Sequence, residues 1–195
     1  MESLFHVWLI SAPLLTNLLK KAVQWNWSEE RQESFEKIKE TLTSTEVLAH
    51  YNPDVPLGLA CDASGVGIGA VIYHKYEDGT ERPIAYVSKT LSDAERNYSQ
   101  IEREALSIIF GVKKFHQFLY GRTFSLLTDH KPLITTFSPE KGIPTLVASR
   151  LQRWAIILSA YSYKIEYKPT KSTEMLIAFL GYPLDLIPIL RRLRF

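Results

Sequence analysis

Apolar positions recur along this chain at two different periods, and the change between them divides it into regions. Near the start, Phe35, Ile38 and Leu42 follow one another at helical steps. Ser28 can cap that helix, and Glu29 and Glu30 in its first turn suit the positive end of the helix dipole. Residues 1–50 therefore read as helical, until Asn52-Pro53 breaks the pattern. From Leu57 the period shortens. Leu57-Gly-Leu-Ala-Cys-Asp62 is a short apolar run ending in a carboxylate, and Gly67 to Tyr73 is a second strand. Glu77-Asp78-Gly79 supplies a turn before a third strand, Pro83 to Ser88. Three strands on tight turns predict an antiparallel meander.

The helical period then returns. Ser99 and Glu102 have capping-box spacing, and Ile101, Ala105, Ile108, Val112, Phe115 and Leu119 form one continuous stripe, which Gly121 ends. Phe124 to Thr128 is a fourth strand leading into Asp129. Ala148 to Ala160 reads as another helix, and Tyr163 to Tyr167 alternates as a fifth strand. The order of three strands, helix, strand, helix, strand predicts an α/β domain whose helices cover a five-stranded mixed sheet.

Composition narrows this picture. At 195 residues, with 46% hydrophobic and 23% charged residues, the chain can bury a real core, and its composition argues against wholesale disorder. A net charge of +2 provides no global field for nucleic acid, so any polyanion site must be local. The single cysteine, Cys61, rules out an internal disulfide, does not suggest secretion, and is most simply a small core residue. Met1 to Leu19 is apolar but lacks a basic leading region and a clear cleavage site, so it does not read as a signal peptide. Met175 to Leu190 is interrupted by Pro183, Asp185 and Pro188, whereas a bilayer span needs about 20 mostly apolar residues. The expectation is a soluble intracellular protein, in cytoplasm or nucleus, with no membrane partner.

Three acidic residues sit where structure alone does not require them. Asp62 and Asp129 end strands, although carboxylates are depleted there and costly to bury unpaired. Glu104 lies roughly 60° from the middle of the helix stripe, at about 100° per residue, and can lean toward the sheet. Glu102 lies roughly 100° away and is expected to be solvated. If the helix packs beside these strands, the three carboxylates can converge, and clustered carboxylates repel unless a cation neutralises them. Hard oxygen ligands suit Mg²⁺, which retains waters and binds substrate phosphate. Strand-end aspartates can equally cap loops, and Glu104 can be a surface residue. Spacing alone leaves both readings open.

The wording of the sequence goes further. Cys61-Asp-Ala-Ser64, Gly67-Ile-Gly-Ala-Val71, Pro83-Ile-Ala-Tyr-Val-Ser-Lys-Thr-Leu91, Tyr98-Ser-x-x-Glu-x-Glu104, Phe115-His-Gln-Phe-Leu-Tyr-Gly121, Thr128-Asp-His-Lys-Pro-Leu133, Arg150-Leu-Gln-Arg-Trp154 and Ile165-Glu-Tyr167 occur in one order. Over roughly residues 50–172 they resemble the ribonuclease H domain of gypsy-type long-terminal-repeat retrotransposons. Residues 12–50, with Ala12-Pro13, Leu18-Leu-Lys-Lys21 and Trp25, resemble the segment joining polymerase to RNase H. The resemblance implies the ribonuclease H-like fold and hydrolysis of the RNA strand of an RNA–DNA hybrid, using two Mg²⁺ ions (Mn²⁺ being possible) and four carboxylates. Three of the four match here: Asp62, Glu104 and Asp129. His130 belongs to the family motif and reads as structural, and Trp25, Trp27 and Trp154 read as packing residues. The implied organisation is a helical connection segment over 1–50, an RNase H-like domain over 51–173 and an aberrant tail over 174–195.

The tail departs from the family. Its fourth carboxylate lies in a segment like N-A-D-A-L-S-R-L-P, whereas this chain runs from Lys171 through Glu174 to Pro183, and alignment through Thr173-Glu174 puts Ile177 at the aspartate position. Isoleucine cannot bind a metal. The codons GAA AAT GCT GAT AGC CTT TCT AGG CTA CCC encode E-N-A-D-S-L-S-R-L-P. Deleting one early A yields E-M-L-I-A-F-L-G-Y-P, the sequence present from Glu174 to Pro183. The hypothesis is a one-nucleotide frameshift, and codons at the genomic locus unrelated to this shift would end it. Loss of the ligand is expected to impair hydrolysis, leaving as the alternative an inactive nucleic-acid-binding module or pseudogene product. Arg150, Arg153 and Lys168, in a locally basic stretch, are the candidate backbone contacts for such binding. No Asp-Asp pair occurs, so DNA synthesis is not expected, and the polymerase and integrase parts of a Pol polyprotein are absent from these residues.

Overall fold

The computed structural model describes residues 24, 26–43, 48–141 and 149–168. Strands β1 (Leu57–Ala63), β2 (Gly67–Lys75) and β3 (Glu81–Thr90) form the expected antiparallel meander. Its turns are closed by the residue types turns require. Between β1 and β2, Ser64 Oγ accepts from the Val66 and Gly67 N–H groups. Between β2 and β3, Asp78 Oδ1 accepts from the Thr80 N–H and hydroxyl, and Gly79 takes φ 84°.

β4 (Thr123–Thr128) lies parallel to β1, and β5 (Ser162–Tyr167) lies parallel to β4. The sheet order is β3-β2-β1-β4-β5, which makes β1 the central strand. Parallel neighbours need crossover connections, and the helices provide them. The predicted five-stranded mixed sheet with flanking helices is the architecture observed.

Helix α1 is Glu29–Thr43, with Phe35 and Ile38 buried and Trp27 edge-on to Phe35. Helix α2 is Asp93–Arg96, a single turn capped by Ser92 and Glu95. Helix α3 is Gln100–Lys114, packed on β1 and β2. Its stripe residues Ala105, Ile108 and Val112 are fully buried beside Leu59, Cys61, Ala70 and Ile72. Close approach depends on Gly111. A Cβ there would lie 2.9 Å from Ala70 Cβ and 3.0 Å from Cys61 Sγ.

The stripe does not run through one helix as expected. α3 stops at Lys114, Phe115 adopts φ −99° and ψ 20°, and α4 (His116–Leu119) follows. The Phe118 and Leu119 N–H groups share the Phe115 carbonyl, so the backbone tightens while Phe115 and Leu119 stay in the core. Gly121, at φ 74°, ends α4. After β4 come α5 (Lys131–Thr136), a 3₁₀ turn (Pro139–Lys141) and α6 (Ser149–Leu158), which packs on α3.

Among the described residues no helix is long and apolar enough to cross a membrane. The helical expectation for residues 1–23, Trp25, and the tail with Ile177 lie outside the described residues.

Candidate metal centre

Asp62 is the sixth residue of β1 and the only one of that strand not fully buried. Its position follows from the Ser64 turn, which closes the strand just beyond it. In the parallel pairing of β1 and β4, Ala60 lies opposite Leu127. Two residues further along stand Asp62, within β1, and Asp129, just past the end of β4, so this register brings both carboxylates to one end of the sheet. Glu104 reaches the same place from α3, in the N-terminal half of the helix that Gly111 seats against β1 and β2.

The three sequence-predicted residues come together. Asp62, Glu104 and Asp129 each offer a carboxylate oxygen, and these atoms all lie within 4.8 Å of one another. Glu104 is only 4% exposed, Asp62 is half-buried and Asp129 is exposed, so the cluster has a desolvated floor and an open side.

The electrostatics record this crowding. Burial, followed by the charges of Asp62 and Asp129, pushes the Glu104 carboxyl up to about 8, against opposing hydrogen bonds from Gln100 and the Ala63 backbone. Burial and then the charge of Asp129 push Asp62 up to about 6, against the Ala63 backbone hydrogen bond. Each effect disfavours the ionised form, and a cation relieves both. Cys61, buried beside Glu104 and Asp62, has its thiol pushed well above its ordinary value, chiefly by burial, which suits a core residue and not a nucleophile.

Glu102 is not solvated as expected. It accepts from the Ser99 N–H at 3.0 Å and from the Ser99 hydroxyl at 2.8 Å, and it pairs with the Arg150 guanidinium. These contacts, led by the Ser99 N–H, hold its carboxyl below the usual range. The α3 cap turns Glu102 toward α6, where Arg150 also stacks over Tyr98 at 4.0 Å.

The other candidates are dispersed. Arg150 is engaged as described. Arg153 is exposed, with Nε 3.3 Å from the Ser149 carbonyl, and Lys168 Nζ donates to Glu81 at 3.1 and 3.3 Å. His130 stands at the N-cap position of α5 without a side-chain capping bond, and its N–H donates to Thr128 Oγ1 at 3.1 Å. Gln100 was not singled out in the sequence, although it precedes Glu104 by one helical turn. Its Nε2 donates to Glu104 Oε1 at 2.5 Å.

Residues 27–126 match the model of the RNase H-like domain found in reverse transcriptase. The Tf2-3 transposon polyprotein of Schizosaccharomyces pombe is 36% identical over 163 residues, covering 83% of this chain and 12% of the polyprotein. The Tf2-4 polyprotein of the same yeast matches equally. The chain thus spans a small fraction of these relatives. In structure, it is similar to the native prototype foamy virus protease–reverse transcriptase, with a TM-score of 0.56 and 20% identity over 81% of this chain and 21% of that one. The foamy viral protease–reverse transcriptase in complex with dsDNA has a TM-score of 0.57 and 18% identity, covering 81% and 34%. At these identities the structural likeness speaks to the fold alone.

Proposed function

Because this chain belongs to the RNase H-like domains found in reverse transcriptases, with relatives among retrotransposon polyproteins, we propose that it acts on RNA–DNA hybrid, hydrolysing the RNA strand at Asp62, Glu104 and Asp129. The observation that carries this reading is the convergence of three carboxylates from β1, α3 and β4, with oxygens within 4.8 Å. A fold needs no such cluster, and its burial is unfavourable without a counter-ion.

The donor set fits Mg²⁺, and Mn²⁺ by the same chemistry, since all three groups are hard oxygen ligands. A divalent cation held there supplies a Lewis acid for phosphate oxygen and makes water a stronger nucleophile. Glu104, itself buried, forms the floor of the cluster. Asp129, on the exposed side, leaves room for a phosphodiester to approach. Arg150, Arg153 and Lys168 are weaker candidates for backbone contacts, because each already has a polar contact within the chain.

We further infer that the chain divides into a connection segment (1–50), an RNase H-like domain (51–173) and an aberrant tail (174–195). Ile177 stands where the family's fourth carboxylate belongs, and this substitution impairs hydrolysis. The same residue favours the second reading, a module that binds hybrid without cleaving it. Incubation of the purified chain and of Ile177→Asp with labelled hybrid and Mg²⁺ tests both. Cleavage that appears only on restoring aspartate supports the nuclease reading together with the lesion. Binding by both proteins with cleavage by neither would replace it with the binding module.

A further inference from the structure

The first turn of α3 carries a run of side-chain hydrogen bonds ending on Glu104. Gln100 Nε2 donates to Glu104 Oε1 at 2.5 Å, Gln100 Oε1 accepts from Arg103 Nη2 at 2.7 Å, and Arg103 Nη1 donates to the Arg96 carbonyl at 3.3 Å. Helical spacing makes this possible. Arg103 and Glu104 follow Gln100 by three and four residues, so both neighbour it on the helix surface.

The chemistry permits only one orientation of the amide. Its NH₂ group must face the carboxylate and its oxygen the guanidinium. The reverse would set oxygen against oxygen and N–H against N–H. A carboxylate at position 100 would repel Glu104, and an ammonium would repel Arg103. Glutamine both donates and accepts, and it has the reach to do so.

We propose that Gln100 is a positioning residue that fixes the carboxylate of Glu104, with Arg103 holding Gln100 in turn, an inference that rests on reading the carboxylate cluster as a metal centre. Neighbouring Ala105, Ser107 and Ile108 are buried and fix the helix at this point, but not the end of a flexible glutamate side chain. Gln100 engages Oε1 of Glu104 from the helix side, while the Ala63 backbone holds the same carboxyl from the strand side. Packing is not its role, since Gln100 is exposed. Capping is not its role either, since Ser99 and Glu102 close the helix end. What remains is orientation of the ligand, the kind of support that metal sites draw on.

The test compares the full-length wild type with Gln100→Met and Glu104→Ala by two measurements. Side-chain couplings of Glu104 in the isotope-labelled, metal-free protein report whether its carboxylate holds one rotamer. Mn²⁺ titration followed by electron paramagnetic resonance reports affinity. Expected results for Gln100→Met are rotamer averaging at Glu104 and Mn²⁺ affinity weaker by about tenfold, with a thermal midpoint near that of wild type. A Gln100→Met protein that keeps both the wild-type rotamer and the wild-type affinity overturns the proposal. Wild type and Glu104→Ala taking up Mn²⁺ equally would instead sink the metal-centre reading, while the rotamer measurement still decides whether Gln100 orients Glu104.

Discussion

The charge of Asp62 bears directly on the buried carboxyl of Glu104 and, after burial itself, is the largest influence raising it, to about 8. A strand end and a helix face thus hold two like charges in a poorly solvated place. Ionising both is unfavourable for the metal-free fold.

Stability of the metal-free chain should therefore depend on pH. Asp62 rises from 3.8 to about 6 and Glu104 from 4.5 to about 8 on folding. Between those values the folded state binds more protons than the unfolded state. The contribution is fully present below about pH 4 and is lost as pH climbs toward 8. Thermal midpoints of the metal-free protein should fall across this window, and Glu104→Gln should remove most of the fall. A slope that Glu104→Gln leaves unchanged would mean that Glu104 is not strained in this way.

Divalent cation should act in the opposite direction. Binding to the folded state alone stabilises by mass action, by about 2.7 kcal/mol at a hundredfold excess over the dissociation constant. Adding Mg²⁺ should raise the thermal midpoint at pH 8 more than at pH 5, and chelation should reverse the gain. Equal shifts for wild type and Asp62→Asn would place the binding elsewhere.

Gly111→Ala inserts a methyl group where Ala70 Cβ and Cys61 Sγ stand at 2.9 and 3.0 Å. Neither neighbour is the end of a flexible side chain, so helix or sheet must shift, at about 1–3 kcal/mol for overpacking. Because α3 carries Glu104, weaker metal binding should accompany the loss of stability. Urea denaturation and Mn²⁺ titration on the same variant measure the two effects, and unaltered stability would show that the interface accommodates the methyl group.

Arg150→Met distinguishes two roles for one side chain. If the pair with Glu102 and the stacking on Tyr98 are its main work, the variant should lose stability modestly, about 1 kcal/mol or less, because the pair is partly exposed. Hybrid binding would then keep its salt dependence. A shallower salt dependence with unchanged stability would mean that Arg150 contacts phosphate.

Much of this arrangement was legible in the sequence, for local reasons. Strand and helix periods, the Asp78-Gly79 turn and the Ser99–Glu102 spacing depend on near neighbours. Each predicted strand reappears within a few residues of its expected bounds. The break at Phe115 was not legible, because the apolar stripe continues through it and only the backbone register changes. Nor was the fate of Glu102. Helix geometry placed it off the core stripe, but Arg150, distant in sequence, decided that it would be paired and not solvated.

By itself, the sequence determined the residue types and the elements that carry them: aspartates at two strand ends and a glutamate on one helix. It also determined the family, since its motifs follow one order. Only the tertiary structure decided that Asp62, Glu104 and Asp129 share one small volume. That depends on a parallel register between β1 and β4 and on the seating of α3 across them. Such pairings join residues far apart in the chain, and no local pattern of hydrophobicity encodes the distance between them.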